Sequence, residues 1–204
     1  EYFVQQNIYP KNFDLMKGGL KSSYNVFNLP YTERTFWGDY APTAVNFLGQ
    51  TEQSECDIVY FVGCMTSYSP TIQDIAVATA TLLDKIGLKY MCLGSEEWCC
   101  GYPLILAGMR GELEWLKKHN VERVKALNPK VITFSCPSCY HTWVHEYAQH
   151  LPNVKMVHST QLLYEIIKEG RVKLQPLEMK VTYHDPCDLG RNSGVYNEPR
   201  EVIN

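Results

Sequence analysis

The 204-residue chain lacks any uncharged apolar run approaching the roughly 20 residues that a membrane-spanning helix needs. Its start, EYFVQQNIYP, lacks the basic-then-apolar order of a secretory signal. An excess of basic charge is missing too. Nineteen Lys and Arg face 22 Asp and Glu, a net charge of −3, and this gives no electrostatic case for a nucleic-acid partner. GRNSG (190 to 194) has no Walker lysine and reads as a turn. His141 and His145 stand one helical turn apart, but Thr142 occupies the place where zinc hydrolases carry Glu. That pair therefore reads as solvated or core-edge histidines. A disordered composition is likewise excluded, because 45% of the residues are hydrophobic and only 20% charged.

Cysteine is what the chain does have. Eight are present: Cys56, Cys64, Cys92, Cys99, Cys100, Cys136, Cys139 and Cys187. Nothing suggests secretion, so the count points to metal or redox chemistry rather than a disulfide framework. Cys99 and Cys100 are adjacent, in EEWCCGYPL, and adjacent cysteines rarely bridge each other because their Cβ atoms point apart.

Residues 1 to 55 are rich in Tyr, Phe and Asn with weak periodicity, and read as a connector or arm from an upstream segment. KGGLKSSYN reads as a loop there, and TERTFWG as a short helix capped by Thr32. From residue 56 the pattern sharpens. DIVYFVGC (57 to 64), LKYMCLG (88 to 94), KVITFSC (130 to 136), VKMVHS and KVTYHDPC (180 to 187) read as strands. Between them lie four helices. The first is capped by Ser69, with Pro70 as its first residue, and carries a stripe of Ile72, Ile75, Ala76, Leu82, Leu83 and Ile86. The others are GELEWLKKHNVERVKAL, PSCYHTWVHEYAQHL and TQLLYEIIKEG.

Strands alternating with helices of crossover length predict an α/β fold, a mostly parallel sheet with helices on both faces. Sites in such sheets lie beyond the carboxyl ends of the strands. Cys64, the Cys99-Cys100 pair, and Cys136 with Cys139 all fall there. Thirty-four residues separate Cys64 from Cys99, and 35 separate Cys100 from Cys136. Thiolates suit zinc and iron–sulfur clusters. A structural zinc site or a cubane cluster takes four ligands, so five candidates overfill either. CPSC alone would also fit a thioredoxin-type redox pair, and Cys56 and Cys92 read as buried thiols outside the pattern.

Cys64, Cys99-Cys100-Gly101 and Cys136-Pro-Ser-Cys139 resemble one complete cysteine-rich CCG motif. The phrases YFVGC, EEWCCG, SCPSCY and YHDPCDLGR resemble heterodisulfide reductase catalytic subunits of the B or D type. Iron–sulfur subunits of glycolate, lactate and glycerol-3-phosphate dehydrogenases share the motif. The resemblance spans about residues 56 to 204. It implies a first CCG domain at 56–175 and the beginning of a truncated second at 176–204, with both ends of the chain reading as cuts through a larger protein. It implies Cys64, Cys99, Cys100, Cys136 and Cys139 as ligands of a non-cubane [4Fe-4S] cluster that is itself the catalyst. Cys187 would be the first ligand of a second, incomplete site. The implied activity is reduction of a thiol disulfide of the CoM-S-S-CoB type in two one-electron steps. The implied partners are ferredoxin-like, flavoprotein or membrane cytochrome subunits. The implied location is cytoplasmic, or peripheral on the cytoplasmic membrane face through a partner. Two alternatives stay open. One is an electron-transfer subunit passing electrons from a flavin-linked dehydrogenase to quinone. The other is a zinc-binding interaction module.

Overall fold

Four short apolar runs form one parallel sheet in the computed structural model, which describes residues 1–51 and 55–204. The strands are β1 (Ile58–Phe61), β2 (Tyr90–Cys92), β3 (Val131–Phe134) and β4 (Lys155–His158), in the order β2-β1-β3-β4. Ile58 pairs with Tyr90 on one side and Val131 on the other, and Val131 pairs with Lys155. The helices are α1 (Tyr2–Gln5), α2 (Asn12–Ser23), α3 (Cys64–Tyr68), α4 (Gln73–Lys85), α5 (Tyr102–Leu106), α6 (Glu114–Leu127), α7 (Pro137–Thr142), α8 (Ser159–Lys168) and α9 (Asn197–Ile203).

β1 is apolar throughout because both of its faces are covered. Val59 and Phe61 pack with Met91, Ile132 and Phe134 against Val121, Val124 and Leu127 of α6. Ile58 and Tyr60 face the other way, onto Ala76, Ala80 and Leu83 of α4. Successive strand side chains point to opposite faces, so a strand buried on both reads as a continuous apolar run. The predicted α/β class is the fold observed.

Beside β2, Cys92 N donates to Asn46 O (2.8 Å) and Leu48 N to Cys92 O (2.9 Å), so residues 46–48 cover that edge. Trp37, fully buried on a 3-10 helix at Tyr31–Tyr40, meets the Phe47 ring at 5.4 Å.

Several local expectations are corrected. KGGLKSSYN is mostly helix, the second half of α2. Fully buried Leu20 anchors it despite Gly18 and Gly19, and it ends at Tyr24 in the left-handed region. Thr32 lies inside the 3-10 helix, which Pro30 precedes. Ser69 and Pro70 do not begin α4. They follow the separate turn α3, and the Ser69 carbonyl accepts from Ile72 N and Gln73 N. Ile75 of the predicted stripe faces solvent, and Ala80 is buried in its place. The helix opened by Pro137 changes pitch: α7 passes into a π turn at Trp143–Tyr147, where the two aromatic rings stack 4.4 Å apart in the core. KVTYHDPC forms no strand. Nothing pairs with it among the described residues, and Val181 is 59% exposed.

Candidate metal centre

The loops leaving β1, β2 and β3 bring five thiols together. Cys64 opens α3 just beyond β1 and its Gly63 hinge. Cys99 and Cys100 end the loop from β2, and Cys136 and Cys139 flank the start of α7. All are free thiols, and all but half-buried Cys136 are buried. Their sulfurs form a chain: Cys64 with Cys99, Cys99 with Cys100, Cys139 donating to Cys100 at 3.4 Å, and Cys139 with Cys136. Contact with Cys139 holds two thiols down, Cys100 to about 6 and Cys136 to about 7. The hydrogen bond with Cys99, followed by burial, pushes Cys64 up.

The backbone is shaped to fit. Gly101 has φ +86°, and a Cβ there would overlap Leu113 Cδ1. Gly63 has φ +84°, and a Cβ would stand 3.0 Å from Cys139 Sγ. Only glycine adopts that backbone readily, so each lets a cysteine-bearing loop approach where a side chain would block it. Three contacts then pin the paired cysteines. Cys99 N donates to Tyr24 O (2.8 Å), Asn120 Nδ2 to Cys99 O (3.2 Å), and Tyr147 Oη to Cys100 O (2.9 Å). The π turn is what carries Tyr147 inward to that carbonyl, in keeping with the use of such turns at functional sites.

An ion pair lies against the sulfurs. Arg34, 2% exposed, donates from Nη1 to Glu97 Oε1 (2.8 Å) and from Nη2 to Cys64 Sγ (3.3 Å). Glu97, also buried, accepts from Val62 N and Gly63 N at 2.8 Å each. Burial pushes its carboxyl up to about 7, against the pull of Arg34 and the two N–H groups. The sequence reading missed Arg34, Glu97, Asn120 and Tyr147. Glu97 sits inside EEWCCG, but its partner is 63 positions away, and no local pattern announces such a pair.

The remaining candidates lie apart. Cys187 is exposed, at the turn that ends the 180–187 segment. Its neighbour Asp188 accepts from Ser138 Oγ (2.6 Å), which ties that turn to the CPSC loop. Cys56 and Cys92 are buried, and burial raises both thiols, Cys56 to about 11. His141 and His145 stand 4.2 Å apart, and His141 Nδ1 meets Ser193 Oγ.

Among the described residues, no three His, Cys, Asp or Glu side chains surround a single-ion position. Five soft donors in a row, a guanidinium beside them and two glycines placed where a Cβ would intrude suit an iron–sulfur group better than a single ion.

Residues 58–143 match the family model described as a cysteine-rich domain, CCG, and that part of the chain belongs to this family. The relatives are named as reductase or oxidoreductase proteins and as iron–sulfur proteins. The D-type chain of the dihydromethanophenazine:CoB–CoM heterodisulfide reductase of Methanosarcina barkeri is 38% identical over 159 residues, 74% of this chain and 38% of that protein. Its counterpart in Methanosarcina mazei is 33% identical over 209 aligned positions, 98% of this chain and 47% of that protein. The EtfAB:quinone oxidoreductase of Syntrophomonas wolfei is 32% identical over 187 residues, 90% of this chain and 26% of that protein. The chain spans less than half the length of these relatives. No solved structure matches.

Proposed function

We propose that this chain is the cluster-binding part of a heterodisulfide-reductase-like subunit. Cys64, Cys99, Cys100, Cys136 and Cys139 hold a non-cubane [4Fe-4S] group at the carboxyl edge of the sheet. The observation that carries the reading is the run of five thiols on three loops, four of them buried, one more than a cubane takes. Residues 176–204, with Cys187, form the opening of a second unit of the same kind in this reading.

When bound, such a group would supply single electrons and an iron site with affinity for a substrate sulfur. The protein's residues do the rest. Five thiolates anchor the irons, and the packed walls around Leu104, Leu116 and Trp143 keep water out. Gly63 and Gly101 let the loops close, while Asn120 and Tyr147 fix the backbone of the paired cysteines. The overall change is RSSR′ + 2e⁻ + 2H⁺ → RSH + R′SH, and the electrons come singly from a ferredoxin-like, flavoprotein or cytochrome partner. Among the described residues, no helix is long and apolar enough to cross a membrane, so in this reading a membrane donor would reach the chain through a partner.

The test is an EPR spectrum of anaerobically prepared, oxidised protein, with and without a small thiol such as 2-mercaptoethanesulfonate. A signal that appears or shifts with the thiol is the expected result. An iron-loaded protein with no thiol response favours the second reading, an electron relay between a flavoprotein and quinone. What supports that reading is the similarity to the quinone oxidoreductase across 90% of this chain.

A further inference from the structure

Burying a guanidinium is unfavourable unless something nearby takes up its charge, and Arg34 cannot give up its proton to escape. Arg34 has one arm on Glu97 Oε1 and, at 3.5 Å, on Ser67 Oγ, the other arm on Cys64 Sγ, and the Tyr68 ring 5.2 Å away. Its Nε has no hydrogen-bond partner among the described residues. Glu97 offsets only part of that charge, because the same carboxylate also accepts from Val62 N and Gly63 N. That geometry has a direction. The negative end of the pair is held by backbone N–H groups, and its positive end is aimed at sulfur.

We propose that Arg34 is a positioning residue for the cysteine site. Its guanidinium, clamped by Glu97, fixes the Cys64 sulfur and offsets the negative charge of the five-thiolate site, and so raises the reduction potential of the iron–sulfur group held there. The inference rests on the cluster reading above. A reduced group carries one more negative charge than an oxidised one. A fixed cation 3.3 Å from a buried ligand sulfur favours the reduced form. The contact also reaches across the fold. Arg34 comes from the 3-10 helix of the first 51 residues, which would make that segment part of the redox site.

The experiment compares the wild-type chain, Arg34→Gln and Arg34→Lys. All are prepared anaerobically, assayed for iron and sulfide, and titrated with a low-potential chemical reductant followed by EPR. Arg34→Gln is expected to load iron and to shift the one-electron equilibrium toward the oxidised form by about tenfold or more, which corresponds to about 59 mV. Arg34→Lys keeps the charge and is expected to lie closer to wild type. A wild-type potential in Arg34→Gln would overturn the inference, and so would a shift in Arg34→Lys as large as in Arg34→Gln. Loss of iron from Arg34→Gln with its retention in Arg34→Lys would support it. An iron-free wild-type chain would instead overturn the cluster reading, and the inference with it.

Discussion

Two stretches of this chain read as a strand that ends in cysteine. DIVYFVGC becomes one of the two inner strands of the sheet, and Cys64 beyond it is buried against Arg34 and Cys99. KVTYHDPC becomes no strand at all, and Cys187 at its end is exposed. The first carries five apolar residues in a row and the second only Val181 and Tyr183 among polar neighbours, and the surroundings differ as well. β1 has a partner on each side to take its N–H and C=O groups, and a helix over each face. Residues 180–187 have no strand beside them among the described residues, and the Pro186 and Cys187 carbonyls accept only from the turn that follows. A strand is a property of its neighbours as much as of its own residues, and the same holds for a cysteine site.

The contrast can be broken most forcefully at the buried ion pair. Glu97→Ala leaves Arg34 charged and buried and frees Val62 N and Gly63 N. It should lower stability by about 3–5 kcal/mol, read from the urea midpoint of the metal-free chain. A loss under about 1 kcal/mol would mean that the pair contributes little to holding the cysteine loops.

Gly101→Ala is expected to be next, at about 2–4 kcal/mol. It combines a left-handed backbone with overlap onto buried Leu113. The same denaturation series measures it, and a neutral result would show that the CCG turn can relax.

Acid should weaken the sheet edge as well. His158 is buried at the end of β4, where its ring caps α8, and burial lowers its pKa to about 4 from an ordinary 6.5. Below about pH 6.5 the unfolded chain takes up a proton that the folded chain does not. Stability is therefore full above that pH and falls as the pH drops toward 4, by up to about 3 kcal/mol. His158→Asn, which can still cap the helix, should make this arm shallower. Parallel pH profiles for the two proteins would contradict the assignment.

The smallest effect is expected on the other side of the comparison. Asp185→Ala removes the partner of Arg200 in the unpaired segment, where Arg200 is 44% exposed. A change of about 0–1 kcal/mol is expected. A loss matching that of Glu97→Ala would erase the distinction between the two regions.

The sheet and the cysteine edge were legible in the sequence because both follow from short-range patterns. Four apolar runs gave the four strands, and the helices between them gave the parallel order. The cysteines fell on carboxyl-end loops simply because they follow the strands. Local signals misled where tertiary packing decided the outcome. Gly18 and Gly19 suggested a loop, but Leu20 binds that segment into the core as helix. Ser69-Pro70 resembled a cap, but the chain first needs the separate turn that Cys64 opens. Arg34 was invisible for a different reason. An arginine in an aromatic-rich stretch reads as surface, and only the closed fold shows that it ends on sulfur.

In the proposed function the five clustered cysteines hold iron and sulfide and Cys187 does not. The most direct measurement is iron and acid-labile sulfide per chain, made on anaerobically prepared wild-type, Cys64→Ser and Cys187→Ser proteins. About four of each are expected in the wild type and in Cys187→Ser, with a marked loss in Cys64→Ser. Zinc in place of iron, or iron lost from Cys187→Ser and kept in Cys64→Ser, would contradict that proposal.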